Sequence, residues 1–355
     1  MDVAICRLLS LLRHSLFGNQ VDNSLFSSMT ETEWKKLLDV SQRQGVAAFV
    51  FMALNDLAAK PSRPLLLKWI SLSLFIEKNY KAQKDAATLL AKGLAKEGIR
   101  TLVLKGLAVS QCYPNPCYRQ CGDADIFLIK GGKSAFEDGN LMVERLGIAV
   151  DRSYYKNSSF SFNGLHVENH HFCTQVRGSK KAKMLEKCLE DMLLSEPTEM
   201  IDDTNLEIPC AMFNALFLTE HAKNHFLREG ISLRYICDWM MFRHKYADAL
   251  DWNEFEDKSK NFGLWRFAQS MNHLADFVKS GNEYVTDEKD RMLLTDVFSE
   301  RVSTSSQEFT LKGRRILIKE TLRARWKYRA FSDVSMLQWL WQSSIGYFFD
   351  KEPRL

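Results

Sequence analysis

Residues 100–129 read Arg-Thr-Leu-Val-Leu-Lys-Gly-Leu-Ala-Val-Ser-Gln-Cys-Tyr-Pro-Asn-Pro-Cys-Tyr-Arg-Gln-Cys-Gly-Asp-Ala-Asp-Ile-Phe-Leu-Ile. Their order predicts a strand, a tight Lys-Gly turn, a short helix, a loop and a second strand. Two aspartates, Asp123 and Asp125, open that second strand. Side chains two apart on a strand point to one face, so these carboxylates lean the same way. The apolar run Ile126-Phe127-Leu128-Ile129 follows, as in a buried strand. Two like charges at the lip of a buried strand repel unless something positive lies between them. A divalent cation such as Mg2+ (or Mn2+) meets that need, because hard oxygen ligands suit it.

The turn adds a feature for anions. Residues 101–104 are apolar, and Lys105-Gly106 then leads into Leu107-Ala108-Val109-Ser110. A glycine at a strand-to-helix turn lets backbone N–H groups approach a phosphate, and a helix N-terminus favours negative charge. Lys105 and Arg119 add side-chain charge. An Asp-x-Asp by itself is common on solvated faces, and a lone Lys-Gly usually marks only a turn. The order of the whole stretch carries more: a phosphate cradle beside paired aspartates suits transfer of a nucleotidyl or phosphoryl group.

Working outward, residues 1–85 read as helical. Leu8, Leu9, Leu11, Leu12 and Leu16 recur at helical spacing. Thr30 and Glu33 make a capping-box pattern ahead of Trp34, Leu37 and Leu38. Pro61-Ser62-Arg63-Pro64 breaks the pattern, and an amphipathic helix then fills residues 65–97 up to Gly98. Beyond Ile129, residues 130–133 make a turn and 135–146 a helix. Asn163-Gly164 between two alternating runs is a strong hairpin signal. On the returning strand His166, Glu168 and His170 share one face, and Val167, Asn169 and His171 the other.

The central stretch resembles bacterial nucleotidyltransferase family proteins, an uncharacterised group of the DNA polymerase beta-like superfamily. The residues that carry the likeness are Leu104-Lys105-Gly106, Tyr113-Pro114, Arg119 and Gly122-Asp123-Ala124-Asp125. The group places a third carboxylate in an apolar-Glu-x-His run, which Val167-Glu168-Asn169-His170 matches, so the resemblance implies Glu168. Glu168 reaches Asp123 and Asp125 if its strand pairs with theirs. Many superfamily members have Gly-Ser at the turn; Gly106-Leu107 lacks that hydroxyl. A third point of likeness is a His-rich helix, here His221 and His225, followed by Leu233-Arg234 and Asp238-Trp239. Arg234 and Asp238 stand as an i,i+4 pair of opposite charge. These residues either line the cleft, with Lys223, His225 or Arg234 facing a nucleotide, or knit two helices together.

The expected fold is α+β: a small mixed sheet flanked by N-terminal and C-terminal helical regions. The expected divisions are 1–85, helical; 86–180, the nucleotidyltransferase core; and 181–355, helical. The resemblance implies a two-metal transfer of a nucleoside monophosphate from an NTP such as ATP to a hydroxyl, with pyrophosphate leaving. Asp123, Asp125 and Glu168 would hold Mg2+ or Mn2+, and Lys105, Gly106 and Arg119 the phosphates. The acceptor stays open among a small molecule, a protein and RNA.

The remaining readings bound this picture. The chain has 355 residues, 46% of them hydrophobic, enough for two or three packed units. A net charge of +4 does not by itself imply nucleic acid. The start lacks a signal-peptide pattern and no stretch reaches about 18 apolar residues, so a cytoplasmic protein without a membrane span is expected. The eight cysteines show no Cys-x-x-Cys pair and read as reduced thiols. His166, His170, His171 and Cys173 offer a rival zinc reading, but three same-face residues span about 13 Å on a strand, too far for one ion. His221 and His225 lack the Glu of a metalloprotease helix. Residues 312–329 carry eight basic residues against Glu320, interleaved with Trp326 and Tyr328. That segment reads either as a solvated face or as a surface for RNA or another polyanion. The alternative to an enzyme is a binding or scaffold protein on the same fold, or an RNA-binding module acting through this segment.

Overall fold

The structure is a computed structural model that describes residues 2–176, 179–281, 287–299 and 324–338. Its N-terminal part is helical: α1 (Val3–Phe17), α2 (Glu31–Arg43), α3 (Ala47–Leu54) and α4 (Arg63–Lys96). The Thr30 and Glu33 side chains complete the capping box of α2. Pro64 sits in the first turn of α4, where its missing N–H has no helical partner to lose. Gly98, at φ +73°, ends α4: its N–H bonds Ala95 O, and Ile99 N–H bonds Leu94 O. This left-handed cap turns the chain straight into the sheet.

The sheet has seven strands: β1 (Arg100–Val103), β2 (Ala124–Lys130), β3 (Lys133–Ser134), β4 (Asn157–Phe162), β5 (Leu165–His170), β6 (Glu199–Met200) and β7 (Leu206–Ile208). Its order is β4-β5-β2-β1-β7-β6, with β3 against β2. The β1–β7 and β2–β5 pairs are parallel and the others antiparallel, so the sheet is mixed, as expected. Asn163 and Gly164 both take positive φ in the β4–β5 turn, the conformation that an Asn-Gly hairpin requires. β6 falls within residues 184–204, which read from the sequence as a polar connection with one helical piece, and β7 lies just beyond it.

Strand alternation divides the interior. Ala124, Ile126 and Leu128 of β2 share a core with α4, the short α5 (Leu107–Ser110) and α6 (Phe136–Arg145). Phe127 and Ile129 join the larger core on the other face. That core is built from α1 to α3 together with α7 (Lys180–Ser195), α8 (Ala211–Arg228), α9 (Leu233–Lys245), α10 (Trp252–Asn261), α11 (Trp265–Ser280), α12 (Glu288–Phe298) and α13 (Arg325–Phe331). The N-terminal and C-terminal helices therefore share one core against one face of the sheet.

Most of the basic segment 312–329 lies outside the described residues. In its described end Lys327 is buried, its Nζ 2.8 Å from Asp296 Oδ1 and 3.1 Å from the Phe226 carbonyl. Tyr328 is buried as well. No helix among the described residues is long and apolar enough to cross a membrane.

Candidate active site

The period of β2 decides where its carboxylate points. Asp125 has the parity of Phe127 and Ile129, so it faces the helical side that carries α8 and α9. β5 runs parallel to β2 with Asp125 directly opposite Glu168. His170, two residues along β5, faces the same way. Its Nε2 lies 2.9 Å from Asp125 Oδ1 and 3.7 Å from Glu168 Oε2. Glu168 is half-buried and also accepts from Asn157 Nδ2 at 2.7 Å. The pairing anticipated between the strand of Glu168 and that of the aspartates is thus the one that forms.

Lys105 reaches the same point from the end of β1. Its Nζ is 3.0 Å from Asp125 Oδ2 and 3.6 Å from Asp123 Oδ2. The positive charge between the two aspartates is, in the protein alone, this ammonium. Burial by itself would push the Asp125 carboxyl up, but Lys105 and His170 overrule it and hold the group well below the usual carboxylate range. Burial likewise acts to lower the Lys105 ammonium, and the two aspartates overrule it and raise it. Gly106 turns the chain at φ +55°, and a Cβ there would meet the Asp123 carbonyl oxygen at 3.3 Å. Glycine is what lets the turn lie this close to the aspartates.

These residues suit a divalent metal. Asp125, Glu168 and His170 each offer a donor atom within 4.8 Å of the others. Asp125 Oδ2 is buried and accepts no aligned hydrogen bond, its charge met only by the Lys105 ion pair. His170 Nδ1 lies 3.0 Å from the Phe172 carbonyl oxygen, which can only accept. With Nδ1 so engaged, Nε2 is the nitrogen turned toward the carboxylates, the one that would ligate a metal bound there. Asp123 stands outside this group, at the mouth.

Arg119 lines the same cleft but is committed elsewhere. Its Nε and Nη2 donate to Asp238 Oδ1 and Oδ2 at 3.0 and 2.7 Å. The Tyr113 hydroxyl donates to Oδ1 of the same carboxylate at 2.7 Å. The i,i+4 pair expected between Arg234 and Asp238 does not form. Asp238 is buried and takes the fork of Arg119, while Arg234 Nη1 donates to the Gln120 carbonyl oxygen at 2.7 Å. A buried carboxylate needs two aligned donors, and a bidentate guanidinium supplies them better than a helix neighbour.

The cleft between sheet and helices holds about 420 Å³ and is lined by Lys105, Gly106, Asp123, His221, His225 and Tyr235, among others. α8 and α9 form the wall that faces the carboxylates. Residues 30–278 match the family of uncharacterised nucleotidyltransferases. The chain belongs to that family. The matched span contains the whole sheet, the Lys105 turn and both helices of the cleft wall. No curated protein and no solved structure matches the chain.

In this member of the nucleotidyltransferase family, the structure brings Asp125, Glu168 and His170 together around one point, with Lys105 against Asp125 and Asp123 at the mouth. It also draws in residues that sequence reasoning missed. Glu186 of α7 is buried and accepts from the backbone N–H groups of Cys173 and Thr174 at 2.7 and 2.6 Å. It thereby braces the loop whose Phe172 carbonyl orients His170. A signal existed: Glu186 lies among Leu185, Leu189 and Leu193 on the apolar face of α7. Lys156 had no such signal. Its burial depresses the ammonium pKa, with Asp125 acting in the opposite direction. The rival zinc grouping is not assembled: His166 is exposed, and His171 packs against the Phe136 and Phe172 rings. A larger hollow of about 700 Å³ lies on the other face of α8, lined by Tyr154, Lys223 and Arg228 among others, and none of the three carboxylates reaches it.

Proposed function

We propose that the protein transfers a nucleoside monophosphate from a nucleoside triphosphate to a hydroxyl acceptor and releases pyrophosphate. The observation that carries this reading is the parallel β2–β5 register, which sets Asp125 opposite Glu168 and beside His170 in a chain of the nucleotidyltransferase family. Asp125, Glu168 and His170, with Asp123 at the mouth, would hold Mg2+ or Mn2+, which when bound supplies positive charge to the phosphates and acidifies a bound hydroxyl. The acceptor oxygen attacks the α-phosphorus, and the bond from that phosphorus to the bridging oxygen breaks. Glu168 serves as ligand or takes the acceptor's proton. The Lys105 ammonium and the Gly106 amide bind the phosphate oxygens that leave. Arg119 acts by positioning: its pair with Asp238 fixes the loop that delivers Asp123.

The test is incubation with each of four α-phosphate-labelled nucleoside triphosphates and Mg2+ or Mn2+, with and without cell extract, beside an Asp123→Ala/Asp125→Ala variant. Label should pass to a small molecule, protein or RNA with the unmodified chain alone, the variant falling at least a hundredfold. The position of Lys105 favours a second reading, a binding or scaffold protein in which the ammonium permanently takes the place of the metal. Calorimetry showing no Mg2+ or Mn2+ binding, together with no label transfer, would decide for it.

A further inference from the structure

Among the described residues, Lys105, Arg119 and Arg234 are the cations that line the cleft. Lys105 is held by Asp125 and Asp123, and Arg119 by Asp238. Arg234 differs. Its Nη1 donates to a neutral carbonyl, its Nε is buried without a hydrogen-bond partner, and among the described residues no carboxylate pairs with it. Its place is nevertheless fixed. Its backbone N–H donates to the Gln44 carbonyl at 3.2 Å, and its side chain lies against Gly45, where an added Cβ would come within 3.4 Å of Arg234 Cβ and Cδ. A held guanidinium with unused donors, opening on a cleft, is arranged for an anion.

Beside it the wall is aromatic. The His221 and Tyr235 rings stack at 6.1 Å with planes 18° apart. His225 closes the group, 4.4 Å from His221 and 5.7 Å from Tyr235. Burial acts to lower the pKa of both imidazoles, and Glu229, which His225 Nδ1 contacts, acts to raise that of His225. The rings offer flat faces, which attract another flat ring.

We propose that the His221–His225–Tyr235 wall takes the base of the nucleoside triphosphate while Arg234 binds an oxygen of its phosphate chain. This rests on the nucleotidyl-transfer reading and assigns the residues of α8 and α9 that the reading leaves idle. One molecule with an aromatic ring at one end and a polyanion at the other satisfies both features. The cleft, at about 420 Å³, is within the range of small-ligand sites.

Calorimetry with the full chain and Mg2+ tests this, using the four nucleoside triphosphates and inorganic tripolyphosphate as probes. Tyr235→Leu should weaken the tightest-binding nucleotide about tenfold or more, in line with stacking of a base on a ring, and leave tripolyphosphate unchanged. Tyr235→Phe keeps the ring and should bind as the unmodified chain does. Arg234→Met should weaken both probes at least tenfold. His225→Leu, at a half-buried position, should give the same split as Tyr235→Leu and serves if the latter does not fold. Folded leucine variants that bind the nucleotide within twofold of the unmodified chain, or lose both probes equally, would overturn the inference alone. An unmodified chain that binds neither probe would sink the transfer reading and the inference with it.

Discussion

Asp238 shows how a buried charge chooses its partners. The sequence places Arg234 one helical turn away, the pairing that a local rule selects. The fold instead brings Arg119 from 119 residues upstream, with Tyr113 behind it. Separations of that size leave no trace in spacing, which is why the pairing of Arg119 with Asp238 could not be read from the sequence. The site on the sheet was legible for the opposite reason: Asp125, Glu168 and His170 lie on short strands whose period of two fixes their faces, and Asp123 immediately precedes β2. The Arg119–Asp238 pair is nearly enclosed, so removing one charge strands the other. Asp238→Asn should therefore lower stability by about 3–5 kcal/mol in urea unfolding. Replacing all three residues together, Arg119→Met with Asp238→Leu and Tyr113→Phe, should recover most of that loss, because the desolvation of both charges is removed at once and no buried hydroxyl is left unpaired. A single variant with unchanged stability would mean the pair is solvated.

At the scale of elements, what was legible was what carries its own stop signals. The capping box before α2, the proline at the head of α4, Gly98 behind it and the Asn163-Gly164 turn all mark boundaries by local chemistry. β6 and β7 were not legible because two or three residues are too few to display a period. They form because β1 would otherwise present an open edge, and Arg100 pairs with Glu207 across it. The capping box also makes a prediction about pH. Glu33 accepts from Arg7 Nη1 at 2.7 Å and from Thr30 N and Oγ1 at 2.8 Å each. These bonds, that from Arg7 foremost, lower its pKa from 4.5 to about 2. A carboxyl whose folded pKa is depressed adds stability that is complete above its unfolded value and is lost as pH falls toward its folded one. The melting temperature of Glu33→Gln should thus lie below that of the unmodified chain by a constant amount above pH 4.5. The gap should shrink on acidification and close near pH 2. A gap that persists there would mean the bonds do not depend on the charge.

At the scale of the molecule, the sheet cannot be separated from what surrounds it. Residues 86–180 contain β1 to β5, but Leu102, Leu104, Phe127 and Ile129 are buried against helices that come from both ends of the chain. β7, the parallel partner of β1, lies beyond that segment as well. A single residue illustrates the tie. Gln44, just past α2, accepts from Leu233 N–H at 2.6 Å and donates Nε2 to the Val297 carbonyl at 2.9 Å. It caps α9 across 189 residues, where Ser232 provides no side-chain cap of its own. The face of Asp125 is therefore completed only when the N-terminal and C-terminal helices meet over it. A fragment of residues 86–180 exposes one whole face of β1 and β2 and the edge of β1, with too little covered surface to offset the entropy of ordering the chain. It should show no cooperative transition in scanning calorimetry and no divalent-metal binding, although it holds every carboxylate of the site. The full chain should melt as a unit. A cooperative transition in the fragment would show the reverse, a core stable by itself that carries its helices as additions.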